Sequence, residues 1–238
     1  MRDRSERALV EVGIYRYVPF PEIVDAHFRG IHRTARREVN SWFREGLARQ
    51  SMATGTDGIP LELLSLTHKG ASVARELAPE QGVEPGQAFT YTRRLHRHHL
   101  VHDAAIYRAC RRERERLTRE GARIRRVRLD AELQGKVLRR SHSARRELGQ
   151  RGADVARHRT ATELGLPTGA DGRVHYPDVQ IEYVDADGRT GRLNIEVASD
   201  HYSEGRLRAK AAAGFRIYAN GARAEQLLAR LGPAGPGR

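Results

Sequence analysis

Apolar and polar residues alternate along two neighbouring segments near the C-terminus. Residues 176–184 and 193–197 carry apolar side chains at every second position, and Asp185 to Gly188 supply turn-forming residues between them. Because side chains of a strand point to alternate faces, the pattern predicts a β-hairpin. Glu196 stands between two apolar positions, so we expect its side chain on the face opposite to theirs.

Further helical and strand patterns flank this hairpin. They predict a helix at about 96–120, a strand at about 123–129, a helix at about 203–213, a strand at 215–219 and a helix at 221–231. Residues 134–160 have few large apolar side chains, and both a flexible basic loop and a phosphate-contacting arm are open for them. The final GPAGPGR is expected to be disordered.

The first 80 residues combine short helices with one β ribbon. Pro19 and Pro21 introduce a helix at 20–28, and a second helix follows at 31–47. A turn at 54–58, a strand at 61–66 and a helix from Thr67 to Leu77 complete the series. The second helix has an apolar face formed by Ile31, Ala35, Val39, Trp42 and Phe43.

A break between these two regions marks the best domain boundary. Pro79, Gly82, Pro85 and Gly86 interrupt the helical pattern. A chain of 238 residues is long enough for two domains. We predict a small helical domain over residues 1–80 and a second domain over 81–238 with a basic insertion near 130–170. The fold class is α+β or α/β.

The charge balance favours an anionic partner. The chain carries 43 Lys and Arg against 30 Asp and Glu, a formal net charge of +13. Sixteen Lys or Arg and six Asp or Glu lie between Arg108 and Arg151. Basic surfaces gain affinity for nucleic acid by releasing counterions, so nucleic acid is the expected partner, ahead of a membrane surface. An Arg-rich soluble protein without such a partner is the alternative.

Cysteine and hydropathy patterns bear on the compartment. Cys110 is the single cysteine, which excludes an intramolecular disulfide and a Cys-rich zinc module. The N-terminal segment lacks the apolar run of a signal peptide, and no apolar stretch reaches the roughly 20 residues of a membrane span. We expect a cytoplasmic protein with no membrane partner.

Two carboxylates are expected to meet in the hairpin. Asp178 opens the first strand and Glu196 lies in the second, and folding the hairpin brings both within reach of one Mg²⁺. Such an ion prefers hard oxygen ligands, offsets the repulsion of the acids, polarises a phosphate and activates water. The alternative is that Asp178 is an ordinary strand-entry residue and Glu196 an edge-strand charge.

The N-terminal order of helix, turn, basic helix, β ribbon and helix resembles a winged helix-turn-helix. The phrase LLSLTHKGASVARELA is similar to the wing strand and following helix of many bacterial winged-helix domains. A helix with exposed Arg and Asn fits the major groove, and double-stranded DNA is then the partner. The candidate DNA-binding residues are Arg33, Arg36, Arg37, Asn40, Arg44 and Lys69. An ordinary solvated helix face is the alternative.

The C-terminal order of elements resembles the PD-(D/E)xK nuclease-like superfamily, a restriction-endonuclease-like fold. The resemblance makes Asp178 and Glu196 metal-binding carboxylates, adds the carbonyl of Val197 as a ligand, and implies Mg²⁺ or Mn²⁺. The pattern also has a lysine two residues after the second acid, where this chain has Ala198. Lys210 on the next helix could substitute from a migrated position, and Glu132 could supply an extra carboxylate.

The whole layout resembles the replication-relaxation family of bacterial plasmids and mobile elements, over most of residues 10–220. The resemblance implies a DNA-binding protein with Mg²⁺-dependent DNA nicking or cleavage. A non-catalytic DNA-binding regulator or replication accessory factor with a degenerate nuclease fold is the alternative. RNA binding through the arginine-rich middle is a weaker idea, and a homodimer remains open.

Four clustered histidines raise a separate metal hypothesis. His98 and His102 are one helical turn apart, a spacing that can place two imidazoles on one zinc ion. His96 and His99 lie beside them. The segment lacks the intervening Glu of the HExxH pattern, so solvated or phosphate-facing histidines are the favoured interpretation.

Overall fold

The computed structural model describes residues 2–92, 100–169 and 172–231, and the described part contains eight helices and two β-sheets. The α+β class expected from the sequence is confirmed. The chain divides into two compact units, Met1–Arg108 and Ala109–Arg238. The helix α5 (Leu100–Arg119) contains this boundary.

The N-terminal unit is built on a three-stranded antiparallel sheet with strand order β1-β3-β2. A helix over the first residues, which the sequence patterns do not predict, buries Leu9, Val12 and Ile14. The elements in chain order are α1 (Arg2–Ile14), β1 (Val18–Pro19), α2 (Phe20–Phe28), α3 (His32–Arg44), β2 (Ala48–Thr54), β3 (Pro60–Leu66) and α4 (His68–Leu77).

Local signals account for the ends of these helices. Thr67 caps α4 as predicted, since its Oγ1 accepts a hydrogen bond from the Gly70 amide at 3.0 Å. A Cβ on Gly70 would lie 1.9 Å from the carbonyl oxygen of Leu47, so the glycine in the phrase LLSLTHKGASVARELA has a packing reason. Ile31, expected in the core, is 52% exposed because it precedes the first turn of α3.

The N-terminal unit extends beyond the boundary predicted at residue 80. The amide of Thr90 donates to the carbonyl of Gly13, and that of Thr92 donates to the carbonyl of Leu66. Leu100 and Ala104 at the start of α5 pack in one apolar cluster with Tyr17, Leu61 and Leu63 of this unit. Residues after the Pro- and Gly-rich break therefore complete the N-terminal core.

The C-terminal unit contains a four-stranded sheet with strand order β4-β5-β6-β7. The pairs β4–β5 and β5–β6 are antiparallel, and β7 runs parallel to β6. After α5, the elements are β4 (Arg123–Leu129), α6 (Asp130–Glu163), β5 (Val179–Val184), β6 (Thr190–Ser199), α7 (Glu204–Ala212), β7 (Arg216–Asn220) and α8 (Ala222–Leu231).

The predicted hairpin is confirmed with its register. Val179 pairs with Ile195 and Ile181 pairs with Leu193, so these apolar side chains share one face of the sheet. Glu196 lies on the other face, as the alternation predicts.

The described helices include none whose length and apolar composition would let it cross a membrane.

Of the two alternatives for residues 134–160, the flexible loop is wrong, because α6 occupies the whole segment. The helix breaks at Gly149, whose φ of 69° and ψ of −160° are not helical and suit a residue without Cβ. Contacts between the two arms show a helical hairpin: the hydroxyl of Ser141 donates to the carbonyl of Ala153 at 3.0 Å. Small residues between the arms allow close packing without the large apolar side chains that the prediction required.

Two predictions fall on residues that the structure does not describe. The disordered tail concerns residues 232–238, and three of the four clustered histidines, His96, His98 and His99, lie in 93–99.

Candidate active site

The carboxylate of Asp178 lies beside β6. Its Oδ2 accepts a hydrogen bond from the backbone amide of Val197 at 2.7 Å. The carbonyl of Asp178 accepts from the amide of Asp130 at 3.1 Å, which ties the start of β5 to the start of α6. The hairpin register and these two bonds hold Asp178 next to the residues around Glu196.

Glu196 and Lys210 form a buried ion pair. Lys210 Nζ donates to Glu196 Oε2 at 2.9 Å, and the two residues are 5% and 2% exposed. The same ammonium donates to the carbonyl of Tyr176 at 2.5 Å, and the Tyr202 hydroxyl donates to Glu196 Oε1 at 2.6 Å. The structure therefore brings Asp178, Glu196 and Lys210 together, as the sequence-based hypothesis of a migrated lysine requires.

The electrostatic environment of Glu196 is set by opposing effects. Burial raises the pKa of the Glu196 carboxyl most, and the nearby charge of Asp178 raises it further. The Lys210 ammonium and the Tyr202 hydroxyl lower it, but the pKa stays above its usual range. Burial and the hydrogen bond to Glu196 also raise the pKa of Tyr202, so this hydroxyl remains a donor. Burial and the charge of Asp178 together thus outweigh the two hydrogen-bond donors at Glu196.

A cavity of about 470 Å³ opens at this cluster. Its ionisable lining has two signs of charge, with carboxylates from Asp130, Asp178 and Glu196 and cationic groups from Arg173, Arg206 and Lys210. The guanidinium of Arg206 also stacks 4.3 Å from the ring centroid of Tyr202. A concave site with convergent polar groups is the arrangement expected for a ligand-binding site.

The donor set fits a hard divalent cation. Across the described residues, no three His, Cys, Asp or Glu side chains converge on one point. Asp178, Glu196 and the carbonyl of Val197 remain as candidate ligands, and Mg²⁺ is commonly held by one or two carboxylates while it keeps several waters. A cation bound here would offset the repulsion between Asp178 and Glu196, which adds to the effect of burial on the Glu196 pKa.

Asp130 was missed by the sequence reasoning, which proposed Glu132 as the extra carboxylate. Glu132 instead pairs with Lys136 Nζ at 2.6 Å and with Arg128 Nε at 3.5 Å, and it is not among the lining residues described for the cavity. Asp130 and Gln134 line the cavity from the first turns of α6. The available signal was its position directly after β4, at a strand-to-helix junction.

Position 198 has no room for the lysine of the nuclease pattern. Ala198 is fully buried in an apolar cluster with Tyr202, Leu207 and Ala224. Two residues along a strand face the same side, so Ala198 and Glu196 are both covered by α7. The ammonium of Lys210 on α7 reaches Glu196. A lysine at position 198 would instead place its side chain among apolar residues.

The predicted DNA-binding residues of α3 divide into exposed and paired side chains. Arg33, Asn40 and Arg44 are exposed. Arg37 is exposed beside Glu38, at 3.3 Å. Arg36 is engaged within the unit, since both its terminal nitrogens donate to Glu62 at 2.6 Å and it stacks on Phe20, and the Glu62 hydrogen bond raises its pKa. Lys69 donates to the carbonyl of Glu45 at 2.9 Å.

Comparison with known proteins adds no assignment: no family model, curated protein or solved structure matches this chain. The functional conclusion therefore depends on the residues and their geometry.

Proposed function

We propose that the protein binds duplex DNA through its N-terminal unit and cleaves or nicks DNA in a Mg²⁺- or Mn²⁺-dependent reaction at Asp178, Glu196 and Lys210. The single observation that carries the proposal is the contact of Lys210 with Glu196 in a cavity that Asp178 also lines. An acid pair with an adjacent ammonium is the side-chain set that phosphodiester hydrolysis uses. A role in plasmid or mobile-element replication is proposed only from the resemblance of the layout to the replication-relaxation family.

The DNA-binding half is supported by the order of elements in the N-terminal unit. The helices α2 and α3 are followed by the antiparallel pair β2 and β3, the order of a winged helix-turn-helix. Arg33, Asn40 and Arg44 of α3 are exposed, and Arg and Asn are the side chains that pair with guanine and adenine in the major groove.

The nuclease half is supported by the order α5, β4, β5, β6, α7 and β7, which is that of a PD-(D/E)xK core with α6 inserted after the first strand. The parallel pairing of β7 with β6 places Val197, whose backbone carbonyl is a candidate ligand, opposite Tyr218 in the interior of the sheet. The strand that follows Asp178, β5, and the strand that carries Glu196, β6, are the two central strands of this sheet. Neighbouring strands therefore constrain their positions on both sides.

Each residue has a defined part in this proposal. Asp178, Glu196 and the Val197 carbonyl would hold the cation, which supplies charge neutralisation at a phosphate and lowers the pKa of a bound water. The Lys210 ammonium donates to a non-bridging phosphate oxygen or orients the attacking water. Arg173 and Arg206, which line the cavity, neutralise the flanking phosphates.

The test uses supercoiled plasmid DNA with Mg²⁺ or Mn²⁺. We expect nicking or linearisation by the wild-type protein, and loss of cleavage with retained duplex binding in Glu196→Ala. Asp187→Asn, at an exposed carboxylate in the hairpin turn, is the matched control and should cleave at the wild-type rate. Absence of cleavage by the wild-type protein under any divalent ion would reject the enzymatic half.

A non-catalytic DNA-binding regulator or replication accessory factor is the second candidate. The observation that favours it is the occupation of both Glu196 oxygens by protein donors, Tyr202 and Lys210, together with Ala198 in the motif position. Isothermal titration with Mn²⁺ separates the two functions. An enzyme should bind the ion in the wild type and lose it in Glu196→Gln, whereas an inactive platform should show no carboxylate-dependent binding.

A further inference from the structure

The basic segment at the turn of the α6 helical hairpin has four arginines without partners among the described residues. Between residues 138 and 151 there are five arginines and one acid. Of the five, Arg140 forms an ion pair with Glu163. Within the part of the chain that the structure describes, the other four make no ion pair or hydrogen bond and are exposed: Arg139, Arg145, Arg146 and Arg151.

Several other cations of the same unit are paired. Arg128 and Arg192 both contact Glu182, and Arg208 contacts Glu204. The second arm of the hairpin is also balanced, since Arg157 pairs with Asp154 at 3.2 Å and Arg159 pairs with Glu163 at 3.1 Å. Within the hairpin, the arginines that have no partner among the described residues therefore lie on the first arm and at the turn, where their mutual repulsion opposes folding.

Three of the four arginines form one continuous surface on the first arm. Arg139, His142, Arg145 and Arg146 line a surface depression of about 650 Å³, and positions three and four apart lie on the same face of a helix. Residues 139–146 span about 10 Å at 1.5 Å per residue, the axial length of about three base-pair steps. Consecutive phosphates of one strand match this length, whereas a single carboxylate or phosphate would leave most of the guanidinium groups unpaired.

The base of the hairpin holds this surface in place. Leu133, Val137 and Ala161 pack with Leu164 and Leu166 in a buried cluster. The Ser141 hydroxyl joins the arms where the exposed turn begins. Ordering the side chains on a packed helical hairpin lowers the entropy lost on binding, compared with the same arginines on a flexible loop.

We propose that this surface, defined as Arg139, Arg145 and Arg146, contacts the phosphate backbone of duplex DNA without reading its sequence. The inference depends on the proposed function for the choice of DNA as the partner. It adds a second contact surface, on the nuclease-like unit, to the predicted contacts of α3. Because guanidinium groups would replace condensed cations at the phosphates, binding through this surface is strongly salt-dependent.

The test measures duplex affinity of the full-length protein between 50 and 200 mM salt, with a labelled DNA of mixed sequence. Each lost phosphate contact reduces the slope of log K against log salt by about 0.9, so Arg145→Gln with Arg146→Gln should make it shallower by about 1.8. The matched control is Arg157→Gln with Arg159→Gln, which removes the same charge from the paired arm and should leave the slope within experimental error.

Other outcomes overturn the inference. The slope of log K against log salt could be equal in the wild type and the Arg145/Arg146 variant, or it could fall equally in that variant and the control. Either result would show that this surface makes no phosphate contact of its own. If Arg33→Gln with Arg44→Gln abolishes binding while the Arg145/Arg146 variant binds normally, the proposed DNA-binding function stands and this inference fails. Wild-type protein that binds no duplex DNA, or only duplex RNA, rejects both.

Discussion

Two buried glutamates of the C-terminal unit have the same kinds of neighbours. Glu196 accepts hydrogen bonds from the Tyr202 hydroxyl and the Lys210 ammonium. Glu113 of α5 accepts them from the Tyr218 hydroxyl and from Arg116 Nε, the latter at 2.7 Å. Both residues are at most 3% exposed.

The pKa values of the two carboxyls nevertheless shift in opposite directions. Burial raises the pKa of each. At Glu113, hydrogen bonds from Tyr218 and Arg116 and the charge of Arg216 outweigh burial and leave the pKa below its usual range. At Glu196, the charge of Asp178 adds to the effect of burial, and the pKa stays raised. A second carboxylate in place of a second cation distinguishes a candidate metal site from a neutralised structural ion pair.

The largest expected difference is in the cleavage rate when the cation beside each glutamate is removed, Lys210 beside Glu196 and Arg116 beside Glu113. We call these two groups of residues the Glu196 and Glu113 clusters. Lys210→Met should slow divalent-ion-dependent DNA cleavage by about 100-fold or more, because removing one preorganised donor from a phosphoryl-transfer site costs that much. Arg116→Met should leave the rate unchanged while the protein is folded. Single-turnover cleavage of plasmid DNA measures both, and a wild-type rate in Lys210→Met would remove this residue from the mechanism.

The tyrosines offer a smaller, matched pair of changes. Tyr202→Phe and Tyr218→Phe each remove a hydroxyl that donates to a carboxylate, a bond worth about 1.5–3 kcal/mol, so both should lower the free energy of unfolding in urea by a similar amount. Only Tyr202→Phe should also change Mn²⁺ binding measured by calorimetry. A change in Mn²⁺ binding with Tyr218→Phe would mean that the two clusters are not functionally distinct.

The smallest expected effect is on the pH dependence of stability. Because folding lowers the pKa of Glu113, its ionisation adds stability that is present above the ordinary value of 4.5 and is lost as pH falls through the folded value. Folding raises the pKa of Glu196, so stability present below 4.5 is lost as pH rises through the folded value.

Urea unfolding of each Gln variant against pH checks these signs. Subtracting the curve of Glu113→Gln from that of the wild type should give a difference that rises with pH, and the same subtraction for Glu196→Gln should give one that falls. Two differences of the same sign would contradict the contrast between the clusters.

Local patterns were sufficient for most of the C-terminal sheet. The strand at 123–129 and the hairpin at Asp185–Gly188 follow from alternation and turn residues, which act between near neighbours. The helix α6 was missed because its two arms bury small residues such as Ser141 and Ala153 against each other. Only the pairing of the arms makes such side chains a core, and hydrophobic periodicity does not register it.

The candidate site was predictable only in part. Asp178 and Glu196 could be placed together because a hairpin connects them, and Lys210 follows on the next helix. Tyr202 and Asp130 gave no comparable signal, since a tyrosine before a helix and an aspartate after a strand are common.

The sequence by itself determined the alternation that puts Glu196 opposite the apolar face, the net charge, and the Thr67 cap, because each depends on covalent neighbours or on composition. Only the tertiary structure decided which charges are neutralised. It brings Tyr218 and Glu113, which are 105 residues apart in the chain, into hydrogen-bond contact. It also packs Leu207 of α7 against Ala198, and the ammonium beside Glu196 comes from Lys210 of the same helix. Burial and pairing depend on side chains from distant segments, and those contacts exist only after the chain has folded.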